Sequence, residues 1–151
     1  MGTADFLLSS KGFKDLNQAD IDSINSICAE ESFKTNDTIF PEEGPGDKMY
    51  IIKSGSVKIS KKVKDKENTI AVLNPGEFFG EMALLDGLPR SAAAKAGADS
   101  IVLTITRDNY MTIRQKSPQT ALKIVDILVK ILSNRLRQAN KNLEVISFWI
   151  E

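Results

Sequence analysis

The chain has 151 residues, enough for one domain with a proper core, and its 20 basic side chains balance 20 acidic ones, so no global field draws it onto nucleic acid or anionic lipid. It contains no histidine, which excludes Ser/His and Cys/His catalytic pairs, histidine proton shuttles and imidazole metal ligands. The one cysteine, Cys28, supplies neither an internal disulfide nor a zinc site, and no apolar run approaches the roughly 20 residues of a membrane span. No convergent pair of carboxylates stands out either. The expectation is a cytoplasmic, non-enzymatic domain without a metal, a cofactor or a membrane anchor, and Met1 to Ser10 lacks the basic start and long apolar core of a signal peptide.

From Asn17 to Cys28 apolar side chains recur at helical spacing, with Asn17 or Asp20 placed to cap the start. Cys28 sits on that stripe with Ile21, Ile24 and Ile27 and reads as an inert core thiol. The texture then changes. Thr38 to Phe40, Met49 to Ile52, Val57 to Ile59, Thr69 to Leu73, Ala92 to Ala96 and Ile101 to Ile105 are short and rich in β-branched or apolar residues. Gly44, Gly46, Gly55, Asn74-Pro75-Gly76 and Gly97 punctuate them, the pattern of an all-β sandwich or barrel. Lys61 to Asn68 mixes both signs of charge and reads as a solvated hairpin tip.

From Ser117 the period is helical again, with serine at the cap and Pro118 at the first position. Leu122, Val125, Val129, Leu132, Leu136, Ala139, Leu143, Ile146 and Ile150 alternate at spacings of three and four, a sustained heptad seam. Ile124, Ile127, Leu128 and Ile131 widen the apolar face in the first half only. The simplest account packs that half on the barrel and on a partner helix, and the later half on the partner alone. This points to a homodimer through residues 122–150; the alternative is a long helix folded back on its own barrel.

The chemistry concentrates in Phe79-Gly80-Glu81-Met82-Ala83-Leu84 and, one short loop later, Pro89-Arg90-Ser91-Ala92. A glycine opening a short helix presents bare N–H groups and the positive end of a dipole to an anion. Glu81 offers a carboxylate that accepts two hydroxyl protons, as a ribose requires. Arg90 brings a guanidinium suited to two phosphate oxygens, and Ser91 adds a hydroxyl. Singly, Glu81 could complement a dipole and Arg90 could join a surface ion pair; together they describe a receptor for a sugar phosphate.

These residues resemble the phosphate-binding cassette of the cyclic nucleotide-binding domain family. Gly44, Met49-Tyr50-Ile51-Ile52 and Gly55 are similar to that family's first strand pair and its turn. The resemblance covers nearly the whole chain and implies a mainly β fold with flanking helices. In detail this is a β-roll, a jelly-roll-like barrel holding the cassette helix inside it and carrying a long C-terminal helix. One domain over 1–151 follows, with N-terminal helices plus roll to 116 and the long helix over 117–151.

The resemblance further implies that Glu81 takes the ribose 2′-OH and Arg90 the cyclic phosphate. Ser91 and the Ala92 N–H complete the cradle, Met82 and Ala83 donate further N–H groups, and Gly80, next to Phe79, lets the backbone approach the ligand. Ile59, Ile70 and Leu73 line the sugar and base. In catabolite-activator-like members the long helix touches the base; the matching stretch here is Arg135 to Asn140, with Asn140 able to bond either purine. Ala139 departs from that pattern, since those activators carry a hydroxyl there. Threonine in place of Ser91 is often associated with cGMP, whereas serine permits either nucleotide; cAMP is favoured.

Three function classes compete. A cupin-like metal oxygenase leans on histidines that are absent. A transcription factor needs a helix-turn-helix beyond the long helix, and the sequence ends at Glu151, so no direct nucleic-acid contact is expected. A ligand receptor remains, signalling through its C-terminal helix or an unidentified effector protein, with Phe148 and Trp149 serving as partner surface or dimer core; the alternatives are a regulatory fragment of a larger transcription factor, kinase or channel, or a cassette-bearing domain that no longer binds nucleotide. The cassette's Phe78, Phe79, Leu84 and Leu85 are expected to repack against the root of that helix.

Overall fold

The computed structural model describes residues 2–150, with the side chains of residues 11, 83 and 143–150 outside the description. Two 3₁₀ turns, Asp5–Ser9 and Lys11–Phe13, precede helix α1 (Gln18–Asn25). The strands are β1 (Cys28–Phe33), β2 (Thr38–Phe40), β3 (Lys48–Ser54), β4 (Val57–Val63), β5 (Lys66–Leu73), β6 (Phe78–Phe79), β7 (Ala93–Ala96) and β8 (Ser100–Thr106). Short helix α2 (Met82–Asp86) lies between β6 and β7, and α3 (Arg107–Lys116) and α4 (Pro118–Ile150) close the chain. The expected strands all form, within four residues at their ends. β1, β6 and α3 were not anticipated. The helix expected to reach Cys28 stops at Asn25, and Cys28 instead opens β1, paired with Ile105.

The strands form two four-stranded antiparallel sheets, ordered β1-β8-β3-β6 and β2-β7-β4-β5. This is a β-roll of two facing sheets rather than a closed barrel. Side chains alternate across a strand, and β3 and β8 are buried on both faces, so they read as apolar runs rather than alternations. Tyr50, Ile52, Phe79 and Val102 enter the space between the sheets with Val57 and Ala94. Met49, Ile51, Phe78, Leu103 and Ile105 point the other way, into a second core with Leu7, Phe13, Ile21 and Ile24. There they meet Tyr110 and Ile113 of α3 and Ala121, Ile124, Ile127 and Leu128 of α4. Cys28 packs at the edge of this second core, where burial pushes its thiol pKa up.

Gly55 makes the turn at which the chain passes from β3 in one sheet to β4 in the other, at φ +91°, where an added Cβ would fall 2.2 Å from the Ser100 Oγ; only glycine fits. The Lys61–Asn68 stretch is the exposed tip of the β4–β5 hairpin, as its mixed charge suggested.

Two features hold α4. Its inner face buries Leu128 completely. Asp20, in the first turn of α1 and 4% exposed, accepts hydrogen bonds from Thr120 Oγ1 and Lys123 Nζ, each at 2.6 Å. The same carboxylate completes a capping box with Asn17, so one side chain finishes α1 and clasps it to α4. On the outward side, Leu122, Val129 and Leu136 are 63%, 53% and 63% exposed. The first half of the expected seam is therefore split between a packed face and an open one, and its later members Leu143, Ile146 and Ile150 lie outside the described side chains.

Leu128→Ala should lower unfolding stability by about 2–5 kcal/mol in urea denaturation, the range for a fully buried leucine. Burial opposes ionisation of Asp20, but the hydrogen bonds from Lys123, Thr120 and the Asn17 N–H outweigh it and hold the carboxyl below its usual range. Its stabilisation is then present above the unfolded value of about 3.9 and is lost as pH falls through the lower folded value. Asp20→Asn should be less stable than wild type by about 1.5–3 kcal/mol at pH 7. That gap should close at acid pH in paired denaturation curves.

Candidate functional site

Strand β6 pairs with β3 at the edge of its sheet, and a turn leads from it into α2. Gly80 sits in that turn with φ +73°, and a Cβ there would lie 2.7 Å from Arg90 Nη1 and 3.3 Å from the Lys48 carbonyl oxygen. The missing side chain therefore makes room for the chain's own guanidinium. Arg90 Nη1–H donates to the Gly80 carbonyl at 2.9 Å, and Nη2–H donates to the Lys48 carbonyl at 2.6 Å. The arginine's backbone is pinned too: its N–H donates to the Gly44 carbonyl and its carbonyl accepts from the Glu43 N–H, each at 2.9 Å. Gly44 thus reaches the site through the backbone.

Beneath the guanidinium lies an aromatic floor. Tyr50 and Phe79 stack with centroids 4.8 Å apart, and the Arg90 carbon Cζ lies 4.2 Å from the Phe40 ring centre. Arg90 is only 5% exposed, its Nε–H has no acceptor, and no carboxylate among the described residues lies within ion-pair distance of it. Burial pulls its pKa down, against nearby Tyr50, Asp47 and Glu81, and an arginine remains charged regardless. Arg90 is thus a buried cation held by neutral carbonyls, with one N–H donor left without a partner among the described residues.

Glu81 follows directly and is 3% exposed. Its carboxylate forms an ion pair with Arg135 of α4, whose second nitrogen donates to the Phe78 carbonyl at 2.6 Å. Phe78 is itself packed in the core shared with α4. The base of the cassette and the middle of the long helix are therefore joined by one guanidinium.

A cavity of about 1390 Å³ opens over these groups. Its lining brings together Phe79, Gly80, Glu81, Met82, Arg90, Ser91 and Ala92, the apolar Ile59, Ile70 and Leu73, and Arg135. Ile59 and Leu73 are half-buried, whereas Ile70 sits in a bulge of β5 and is mostly exposed. The Ala83 side chain lies outside the description. Asn140 is exposed and does not line the cavity, so the structure does not join it to the cassette. Of the four cassette residues expected to pack against the root of the long helix, Phe78 and Leu84 share its core, Phe79 is buried between the sheets instead and Leu85 is exposed. Residues missed from sequence also contribute: Phe6, Ser9 and Ser10 from the N-terminal turns, and Ile131 and Asn134 from α4. Ile131, Asn134 and Arg135 have the i, i+3, i+4 spacing of one helix face, a signal available in sequence. Among the described residues no group of His, Cys, Asp or Glu is placed to hold a metal ion, and no helix is long and apolar enough to cross a membrane.

The cyclic nucleotide-binding domain family matches residues 30–117, which include all of the cassette. The chain is 33% identical over 137 residues to the cyclic AMP receptor protein of Thermus thermophilus, an alignment covering 90% of this chain and 62% of the relative. It is 40% identical over 103 residues to a cGMP-dependent protein kinase of Eimeria tenella, covering 68% of this chain and 10% of the kinase. The solved Thermus thermophilus catabolite activator protein superposes with a TM-score of 0.78 at 33% identity, covering 92% of this chain and 64% of that one. The chain thus spans under two thirds of the length of these relatives. With the cassette, the β-roll and the matched residues in agreement, this chain belongs to the cyclic nucleotide-binding domain family.

Proposed function

We propose that this chain is a cyclic nucleotide receptor, cAMP favoured over cGMP, that has no catalytic activity of its own and reports occupancy through α4. The observation that carries this reading is the buried Arg90 guanidinium, open to the cavity side and lacking a counter-anion. A cyclic phosphate supplies the missing acceptors, with Ser91 and the Ala92 N–H beside it on the same loop. The ribose 2′-OH donates to Glu81, and Met82 and Ala83 stand at the start of α2 next to it. Ile59, Ile70, Leu73 and Phe79 enclose the sugar and base.

Occupancy reaches α4 because the ribose and Arg135 both address the Glu81 carboxylate. A ligand shifts the position of the helix only by its unequal affinity for the arrangements with and without that ion pair. Phe78 and Leu84, which share a core with α4, transmit the change to the helix root. The open seam of Leu122, Val129 and Leu136 suits a second copy of the chain, since covering it removes apolar surface from water at about 25 cal/mol per Å². The dimer through residues 122–150 would carry the change of helix angle to an effector protein. Coverage of only 10% of the kinase relative and 62% of the receptor relative favours a second reading of wider context, in which the same receptor is the regulatory segment of a longer protein.

Titration calorimetry tests the receptor directly. Arg90→Ala should weaken cyclic nucleotide binding by about 1.5–3 kcal/mol, the scale of a hydrogen bond to a charged group. Unchanged affinity would remove the cassette assignment. Glu81→Ala should harm a cyclic ribonucleotide more than its 2′-deoxy analogue, because only the former donates to the carboxylate; equal losses would contradict the ribose role. For the dimer, sedimentation should show Leu136→Asp running as a lighter species than wild type. Identical sedimentation would mean the seam is not an interface.

A further inference from the structure

Strand β2 changes face within its three residues. Thr38 opposes Lys95 of β7 and Phe40 opposes Ala94, so two steps along β2 match one along β7. The extra residue is a β-bulge, which re-aims the side chains beside it. Thr38 stays exposed, while Ile39 and Phe40 both pack against the core between the sheets. In an unbroken strand Phe40 would share the face of Thr38. Pro41 follows and holds Phe40 in extended backbone. Two residues further on, the Glu43 N–H donates to the Arg90 carbonyl, and the Gly44 carbonyl accepts from the Arg90 N–H. The segment that carries Phe40 is thereby tied to the backbone of Arg90, and the ring centre lies 4.2 Å from the guanidinium carbon. Tyr50 is further off, at 5.8 Å, and stacks on Phe79 instead.

We propose that Phe40 is a positioning residue for phosphate recognition: its ring holds the Arg90 guanidinium in the pose that meets the anion. The assignment rests on the cyclic nucleotide reading of the cavity. A buried guanidinium regains its hydration by turning out to water, so its seat must be held. A carboxylate beneath it would hold it firmly, but would also neutralise it and occupy the N–H groups a phosphate needs. An aromatic face attracts the cation through its quadrupole and uses no N–H donor. The ring therefore favours the seated pose without competing with the ligand. A protein whose binding pose is filled only part of the time binds with an affinity reduced by that fraction. Loss of the ring thus weakens every ligand bearing the cyclic phosphate, whatever its base.

The test is titration calorimetry of the full chain with cAMP and cGMP, comparing wild type, Phe40→Leu, and proteins carrying 4-fluoro- or 3,4,5-trifluorophenylalanine in place of Phe40. Fluorine drains negative charge from the ring face while nearly keeping its shape, so the fluorinated proteins decide the matter where Phe40→Leu fails to fold. Phe40→Leu should weaken both nucleotides by about three- to tenfold. The fluorinated proteins should fall between it and wild type, the trifluoro ring binding more weakly than the monofluoro one. In an Arg90→Ala background the same series should be flat, because the ring has no cation to hold. Fluorinated proteins that match wild type, or a decline that persists in the Arg90→Ala background, overturn the role of Phe40 while leaving the receptor intact. Wild type that binds neither nucleotide overturns the receptor reading itself.

Discussion

A guanidinium taken out of water without a counter-anion is the constraint around which this molecule is arranged. Arg90 is tolerated in the interior because Gly80 leaves it room, two carbonyls take its terminal nitrogens and an aromatic floor of Phe40 and Tyr50 lies under it. Each of those supports is neutral. Such an environment stabilises the cation enough to keep the fold, while leaving its charge uncompensated and one donor idle. An alanine at position 80 would strain a left-handed backbone and push the guanidinium off its carbonyls at once. The glycine's role is thus as much to seat the arginine as to admit a ligand.

The second organising element is the link between cassette and helix. Glu81 is buried and charged, and its compensation comes from Arg135, 54 residues away along the chain. The pairing ties the compensation of a buried carboxylate to a half-exposed cation on α4, and so to where that helix lies. At its other end α4 is clasped to α1 by Asp20, through Thr120 and Lys123. The N-terminal helix and the root of α4 are thereby joined, and the Arg135 turn meets the cassette about four helical turns further on.

Much of the fold was legible because its signals are local. The strands from Thr38 to Ile105 announce themselves by β-branched runs between glycine turns, and the cassette by residues crowded within a dozen positions. β1 was not legible: Cys28-Ala29-Glu30-Glu31-Ser32-Phe33 is mostly polar, lies at a sheet edge and continues an apolar stripe belonging to α1. α3 buries only Tyr110 and Ile113, too few side chains for a helical period. Within the site, residue types near Gly80 and Arg90 could be read, but not their partners. Whether Arg90 faces solvent or the Lys48 carbonyl, and whether Asn134 or Asn140 turns to the cavity, depends on how α4 docks. That rotation is set by Ala121, Ile124 and Leu128 meeting the roll, a long-range fit with no local signature.

The central claim is that the uncompensated Arg90 cavity takes a cyclic phosphate diester. Thermal unfolding of wild-type protein with cAMP, beside linear 5′-AMP at the same concentration, tests it most directly. Ligand at a hundred times its dissociation constant adds about 2.7 kcal/mol to the folded state. The account predicts a melting temperature raised by cAMP and left in place by the linear nucleotide; a melting curve indifferent to both, or raised equally by both, would contradict it.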